Sequence, residues 1–211
     1  MSDSINKYKT EQEAFWAGDF GNEYSNRNIG NDWIATNTSF FSKVFNKTEK
    51  VESILEFGSN IGLNLMAIKT LLPKAKLSAI EINSAAVEEL KKNIEEITVY
   101  PNSIFDFVSK EKSDFVFIKG VLIHLNPNEL QAVYQKLYES SSKYILIAEY
   151  YNPSPVTIPY RGHNDRLFKR DFAGEFMDKY KDVKLIDYGF IYHKDPNFPQ
   201  DDITWFLMKK E

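Results

Sequence analysis

Glu56-Phe57-Gly58-Ser59-Asn60-Ile61-Gly62 decides how this chain reads. The stretch ends the apolar run Val51–Phe57 (VESILEF) and precedes a helical pattern, so it is a strand-to-helix turn. Gly58 permits a sharp bend and Gly62 a close approach of helix and strand. Between them stands Asn60, the residue that, after glycine, most readily takes a left-handed backbone. A tight connection without any ligand is the plainer alternative. What argues for a ligand is Glu81, 23 residues after Gly58 and at the end of a second apolar run, Leu77–Ile82. An acid there is placed to accept hydrogen bonds from both hydroxyls of a ribose, and a charge at an apolar strand end is costly without such donors.

Two further apolar runs, Asp114–Ile118 (DFVFI) and Tyr144–Tyr151 (YILIAEYY), complete a set of four. All are short and lack alternation, which is the pattern of parallel strands covered on both faces. Helical patterns separate them: Asn60–Leu72, stopped by Pro73; Ser84–Ile97, with Ser84 as its cap; and a helix opened by Asn126-Pro127-Asn128-Glu129 that runs to about Ser140. Thr98–Tyr100 is the weakest strand. A long loop, residues 152–169, then leads to a helix at Asp171–Lys179 and two strands, Val183–Tyr192 and Ile203–Lys209. Strands joined without a helix pair antiparallel. The expectation is an α/β, Rossmann-like sheet of seven mostly parallel strands, with a C-terminal antiparallel hairpin and helices on both faces. Residues 1–50 read as a helical cap on a main unit of residues 51–211. Within the cap, Phe40, Phe41, Val44 and Phe45 are spaced to lie on the sheet.

Composition narrows the function. With 26 basic and 30 acidic residues the net charge is −4, which argues against a nucleic-acid partner. There is no cysteine, which removes disulfides, thiolate metal sites and cysteine nucleophiles. His124, His163 and His193 have no metal-ligand spacing, so no metal is expected. No apolar run approaches the roughly 18 residues of a membrane span, and Met1–Gln12 lacks an apolar signal core. A cytoplasmic protein acting on a small molecule, with neither membrane nor nucleic acid as partner, is the expectation. The 16 Phe, 12 Tyr and 3 Trp suit both core and pocket walls.

The E-x-G-x-x-x-G turn with its downstream acid resembles motifs I and II of S-adenosylmethionine-dependent methyltransferases of class I. A dinucleotide enzyme would be obstructed by the missing middle glycine, whereas S-adenosylmethionine brings no phosphate. The resemblance implies S-adenosyl-L-methionine as cofactor. Glu56, Gly58, Ser59, Asn60 and Gly62 would form its cradle, Glu81 and Ile82 would meet its ribose, and Ser103 and Ile104 its adenine. Relatives often carry Asp where Ser103 stands. Lys119, Gly120 and Val121 would lie beside the reacting centre. Upstream, Tyr24 and Arg27 share a helical face in the aromatic block Phe15–Asn28, where many small-molecule methyltransferases grip the cofactor's carboxylate; a groove-filling aromatic cap is the alternative.

The whole chain is similar to the pseudaminic acid biosynthesis-associated methylase family. The likeness is carried by the F-W-x-G-x-F-G-x-x-Y-x-x-R-N block, by the E-F-G-S-N-I-G turn, and by the stretches Glu149–Pro155, Ile158–His163 and Leu167–Ala173. It implies a small polar, anionic acceptor such as a nine-carbon sugar acid or its nucleotide-activated form. Amino-acid, peptide or other small-metabolite methylation remains an alternative. So do a nicotinamide-dependent sugar oxidoreductase or epimerase, disfavoured by Asn60, and a non-catalytic cofactor-binding partner. The oligomeric state is open.

Methyl transfer is an in-line displacement in which alignment supplies up to about 7–11 kcal/mol. A hydroxyl acceptor also needs a proton acceptor, while an amine needs only its neutral form. The candidates are His163, in the long charged loop; His124, which reads as a hydrogen-bonded packing histidine ahead of a base; and Glu149, which would hold substrate or a neighbouring arginine. Arg161, Arg166, Lys169 and Arg170 cluster where they would bind a carboxylate or phosphate, or form a solvated loop offset by Asp165 and Asp171. Tyr150, Tyr151, Asn152 and Tyr160 are expected to join them around the acceptor.

Overall fold

Leu55, Val116 and Ile145 face one side of a central sheet, Ile54, Phe115 and Leu146 face the other, and all six are buried. That double burial is why the strands show no alternation. The computed structural model describes residues 8–27 and 30–211. Its strands are β1 (Ser53–Phe57), β2 (Lys76–Ile80), β3 (Thr98–Tyr100), β4 (Ser113–Lys119), β5 (Ser141–Glu149), β6 (Val156–Thr157), β7 (Phe168–Lys169), β8 (Val183–Ile191) and β9 (Ile203–Lys210). Seven of them form one sheet in the order β3-β2-β1-β4-β5-β9-β8. The first five are parallel, and β9 runs antiparallel to both β5 and β8. The expected sheet, C-terminal hairpin included, is the observed one.

The helices are α1 (Glu11–Ala17), α2 (Asp19–Arg27), α3 (Asn31–Phe45), α4 (Leu63–Leu71), α5 (Ser84–Asn93), α6 (Leu130–Ser140) and α7 (Phe172–Lys179). Phe40, Phe41 and Val44 of α3, Leu65 and Ile68 of α4, and Leu90 of α5 cover one face of the sheet. Leu130, Val133, Tyr134 and Leu137 of α6 with Phe172 and Phe176 of α7 cover the other. Among the described residues no helix is long and apolar enough to cross a membrane.

Several boundaries differ from expectation, each for a local reason. α4 starts at Leu63 rather than Asn60 because Asn60 (φ +47°) and Gly62 (φ +87°) are both left-handed and hold the chain out of the helix. The cap of α5 is Asn83, whose side chain accepts from Ala86 N; Ser84 is already helical. That helix ends at Asn93, four residues early, and Glu96 turns the chain at φ +60°. Asn126 and Pro127 open a separate 3-10 turn, Pro127–Glu129, before α6. The loop 152–169 is a ribbon: β6 pairs antiparallel with β7, and its tip is a two-residue turn at Arg161 (φ +47°) and Gly162 (φ +84°), closed by hydrogen bonds in both directions between Tyr160 and His163. Two successive positive φ values are the hairpin geometry whose twist matches the strands.

Gly62 is required by a neighbour other than the one expected. A Cβ there would stand 2.3 Å from Leu90 Cδ1 and 3.2 Å from Ile94 Cδ1, so the close approach is to α5 rather than to β1. Gly62→Ala adds overpacking to the backbone strain and is expected to lower stability by about 2–4 kcal/mol. The measurement is a lower urea midpoint at unchanged m-value.

Candidate functional site

The chain runs from β1 to β2 and β3 on one side and returns through β4 and β5 on the other, so the sheet's direction of travel reverses between β1 and β4. A crevice opens at the carboxyl ends of strands at such a point. Here it is a cavity of about 510 Å³, within the range that holds a small ligand.

The turn after β1 forms its floor. Gly58 (φ +76°) and Ser59 donate backbone hydrogen bonds to Ile80 O at 2.9 and 3.2 Å, which locks the end of β1 to that of β2. A Cβ on Gly58 would lie 2.7 Å from Val121 Cγ2, so only bare backbone fits between the ends of β1 and β4. Glu81, just beyond β2, lines the cavity; its carboxylate accepts from Asn60 N at 2.7 Å and Asn83 N at 2.8 Å. Burial raises its pKa, and those amides pull the other way. Ser103 and Ile104 form the wall beyond β3.

Glu56 does not reach the cavity. It is wholly buried and accepts from Asn64 Nδ2 at 2.7 Å, while its second oxygen has no partner. Burial pushes its pKa up to about 8, against the Asn64 hydrogen bond and the charge of Lys119. Lys119, Gly120 and Val121 line the cavity where β4 ends. Burial lowers the Lys119 pKa, opposed by Glu56, Asp201 and Glu149.

The proposed catalytic residues part company. Glu149 is buried behind the turn that follows β4: its carboxylate accepts from Val121 N (3.0 Å), Leu122 N (2.9 Å) and Ile123 N (3.4 Å), and it is a cap for that turn rather than a group facing the cavity. Burial still raises its pKa to about 7. His163 is exposed at the ribbon tip, edge-on to Phe15, and lies outside the cavity lining. His124 lines the cavity between the rings of Trp16 (4.7 Å) and Tyr160 (5.2 Å). Its Nδ1 stands 2.7 Å from Arg166 O, which fixes the proton on Nδ1 and leaves Nε2 as the acceptor. Burial lowers its pKa to about 4, so the ring stays neutral.

The cationic cluster also divides. Arg166 is buried, pairs with Glu11 (3.2 Å) and Asp165 (2.5 Å), and ties the ribbon to α1. Arg170 pairs with Glu175 at 2.6 Å, and Lys169 lies 5.0 Å over the Tyr150 ring. Arg161 alone of the four lines the cavity, its guanidinium 5.6 Å from the Tyr160 ring centre. Tyr150 and Tyr160 line the cavity too; Tyr151 packs on Phe206, and Asn152 bonds within its own loop to Ser154 O. Tyr24 is in the lining, edge-on to Trp16. Arg27 ends α2, and its side chain lies outside the described residues, as does Asn28.

Sequence reasoning missed part of the wall. Glu13 is buried in the lining and receives a hydrogen bond from Ser103 Oγ, while also completing a capping box with Thr10. The T-x-x-E spacing signals that box but gives no hint of Ser103. Trp33 and Asn37 of α3, and Gln200 and Asp201 of the β8–β9 connection, also face the cavity; no motif marks them. Among the described residues, no cluster of His, Asp and Glu is arranged for a metal.

No family model matches this chain, and no curated protein matches it. Solved structures do. A plantazolicin methyltransferase in complex with SAH is 16% identical, with a TM-score of 0.64 over 95% of this chain and 94% of its own. The SAM-bound amino pentose methyltransferase from Micromonospora echinaspora is 9% identical, with a TM-score of 0.65 over 91% and 96%. Magnesium protoporphyrin IX methyltransferase from Synechocystis PCC 6803 with bound SAM is 10% identical, with a TM-score of 0.67 over 96% and 98%. The fold is that of the class I methyltransferases. In that frame the cavity occupies the switch point between β1 and β4, and the helices α1 and α2 lie across one side of it.

The buried Glu56 gives a test of this floor. Unfolded, it ionises near 4.5; folded, near 8. Between those values the folded state keeps a proton that the unfolded state has lost, so this residue lowers stability as pH rises from about 4.5 to 8 and adds no slope beyond. Glu56→Gln is expected to remove that slope and to gain on the order of 4 kcal/mol over the parent at pH 8 compared with pH 4.5. Urea unfolding across that pH range measures it.

Proposed function

We propose that this protein transfers a methyl group from S-adenosylmethionine to a small polar acceptor, a nonulosonic sugar acid of the pseudaminic type or its nucleotide-activated form. The observation that carries the cofactor reading is Glu81: an acid at the end of β2, held by two backbone amides, facing the cavity beside a left-handed turn. Its remaining lone pairs suit a ribose diol. The bare backbone at Gly58 lets Val121 pack against the turn, and Asn60, whose side-chain oxygen accepts from Ser25 Oγ at 2.6 Å, stands where a dinucleotide site would need its middle glycine. Ser103 and Ile104 would meet the adenine, and Tyr24 and Arg27 the methionine carboxylate. Glu56 would act from behind the turn through Asn64.

When bound, the cofactor supplies a methyl carbon made electrophilic by its sulfonium. The chain's part is alignment and proton handling. Lys119, Gly120 and Tyr150 frame the reacting centre, His124 Nε2 receives the proton of an acceptor hydroxyl, and Arg161 takes the acidic group. The sugar-acid assignment rests on the resemblance of Phe15–Asn28 and Glu149–Ala173 and is supported by the cavity's unpaired arginine.

Calorimetry with S-adenosylhomocysteine tests the cofactor reading: micromolar binding is expected, and no heat from folded protein overturns it. Glu81→Ala should weaken binding about 10–100-fold. His124→Asn should spare binding and lower turnover by about 10²–10⁴, while His163→Ala should change neither. Mass spectrometry of nonulosonic acids, free and nucleotide-activated, incubated with S-adenosylmethionine should show the gain of one CH2 unit.

A further inference from the structure

We propose that Asp201 and Arg161 are the two poles of an acceptor subsite, so that the molecule methylated carries a free amine as well as an acidic group. This rests on the methyltransferase reading and deepens it: Arg161 meets the acid and Asp201 meets the amine.

Asp201 belongs to the connection between β8 and β9 and lines the cavity. Both neighbours are fastened. Gln200 is buried and donates to Thr36 O (3.4 Å) and Asn37 Oδ1 (3.3 Å) of α3. Asp202, left-handed at φ +54°, accepts from His193 N at 3.0 Å and lies 2.8 Å from the His193 ring Nδ1. Its own N–H donates to Gln200 O at 2.8 Å. Asp201 sits between these two fixed points, yet among the described residues its carboxylate has neither an ion pair nor a hydrogen bond. A turn braced on both sides, with its middle acid left open, presents that acid to a ligand.

Arg161 stands likewise. It is carried on the two-residue turn of the ribbon, backed by the Tyr160 ring at 5.6 Å and the Phe20 ring at 6.0 Å, and has no carboxylate partner among the described residues. Tyr150 lines the same cavity, within electrostatic reach of Asp201. Lys119 also lies within electrostatic reach of Asp201, and among the described residues no carboxylate lies within ion-pair distance of it. A cavity with an open cation and an open anion matches a ligand with both charges. It disfavours one whose amine is acylated or whose acid is esterified, because that ligand leaves a pole unmatched.

The test uses the full chain saturated with S-adenosylhomocysteine, titrated calorimetrically with three probes. They are the methyl α-glycoside of neuraminic acid, which has a free amine and a carboxylate, its N-acetyl form, and its carboxyl methyl ester. The free amino acid form is expected to bind at least about tenfold more tightly than either derivative. Asp201→Asn should erase the preference over the N-acetyl form and Arg161→Gln the preference over the ester, with S-adenosylhomocysteine affinity unchanged in both. Equal binding of the three probes, or binding of none while S-adenosylhomocysteine still binds, overturns the proposal and leaves the methyltransferase reading standing. A tenfold loss of S-adenosylhomocysteine affinity in Asp201→Asn would place that acid at the cofactor's own ammonium and overturns the proposal as well. Failure of the parent protein to bind S-adenosylhomocysteine removes the methyltransferase reading first.

Discussion

The hydrogen bond from Asn60 N to the Glu81 carboxylate, 2.7 Å long, is the constraint on which the rest of the site depends. It exists only because Asn60 is left-handed, which turns its amide away from α4 and toward the end of β2. Were residue 60 helical, α4 would begin earlier, its first turn would fill the crevice, and the Glu81 carboxylate would be buried with one amide fewer. An acid with that little support takes up a proton and loses its capacity to accept. The turn and the acid therefore keep each other functional: backbone geometry provides the donor, and the carboxylate makes the unusual geometry worthwhile.

Three buried glutamates lie toward the carboxyl ends of β1, β2 and β5, and their surroundings differ. Glu81 is held by amides and faces open space. Glu149 has comparable amide support but turns it to the backbone after β4, where it fixes Val121, Leu122 and Ile123 and thereby the position of His124. Glu56 has one side-chain donor and an orphaned oxygen, so burial dominates. The residue type is the same; backbone N–H groups within reach set Glu81 and Glu149 apart from Glu56, and the direction each carboxylate faces sets Glu81, on the cavity, apart from Glu149, on the backbone.

This is also where the sequence stopped being legible. The architecture could be read because it rests on local signals: apolar runs without alternation, Pro73 as a helix stop, and two terminal strands with no helix between them. The place of the glycine turn and of Glu81 at the cavity could be read because it follows from their spacing along the chain. Glu149, His163 and Arg166 could not, because their roles are set by contacts far away in sequence. Arg166 looked like one member of a basic cluster, but Glu11, 155 residues away, claims it. Glu13 and Asp201 showed no sign of themselves for the same reason. Each reaches the cavity from an element whose docking depends on a remote partner, Ser103 in one case and Asn37 in the other.

The residues before β1 are held in two physically different ways, and this bears on how the cavity is closed. α3 buries Phe40, Phe41 and Val44 completely, each contributing about 1.5–3 kcal/mol of apolar burial, and it is part of the core. Among the described residues of α1 and α2, Gln12, Glu13, Gly21 and Ser25 are buried, while Phe15, Trp16, Phe20 and Tyr24 remain half-buried around the cavity side. Besides ring contacts of Phe15 with His163, Trp16 with His124 and Phe20 with Tyr160, these helices dock through hydrogen bonds: Gln12 to Asp165 O, Glu13 to Ser103, and Asn83 to Trp16 O and Asn22. Each is worth about 0.5–1.5 kcal/mol net, since water replaces it when the contact opens. The cover is therefore held with less apolar burial than α3. A cavity whose floor is rigid backbone and whose cover is held by exchangeable hydrogen bonds can admit a nucleoside and still surround it.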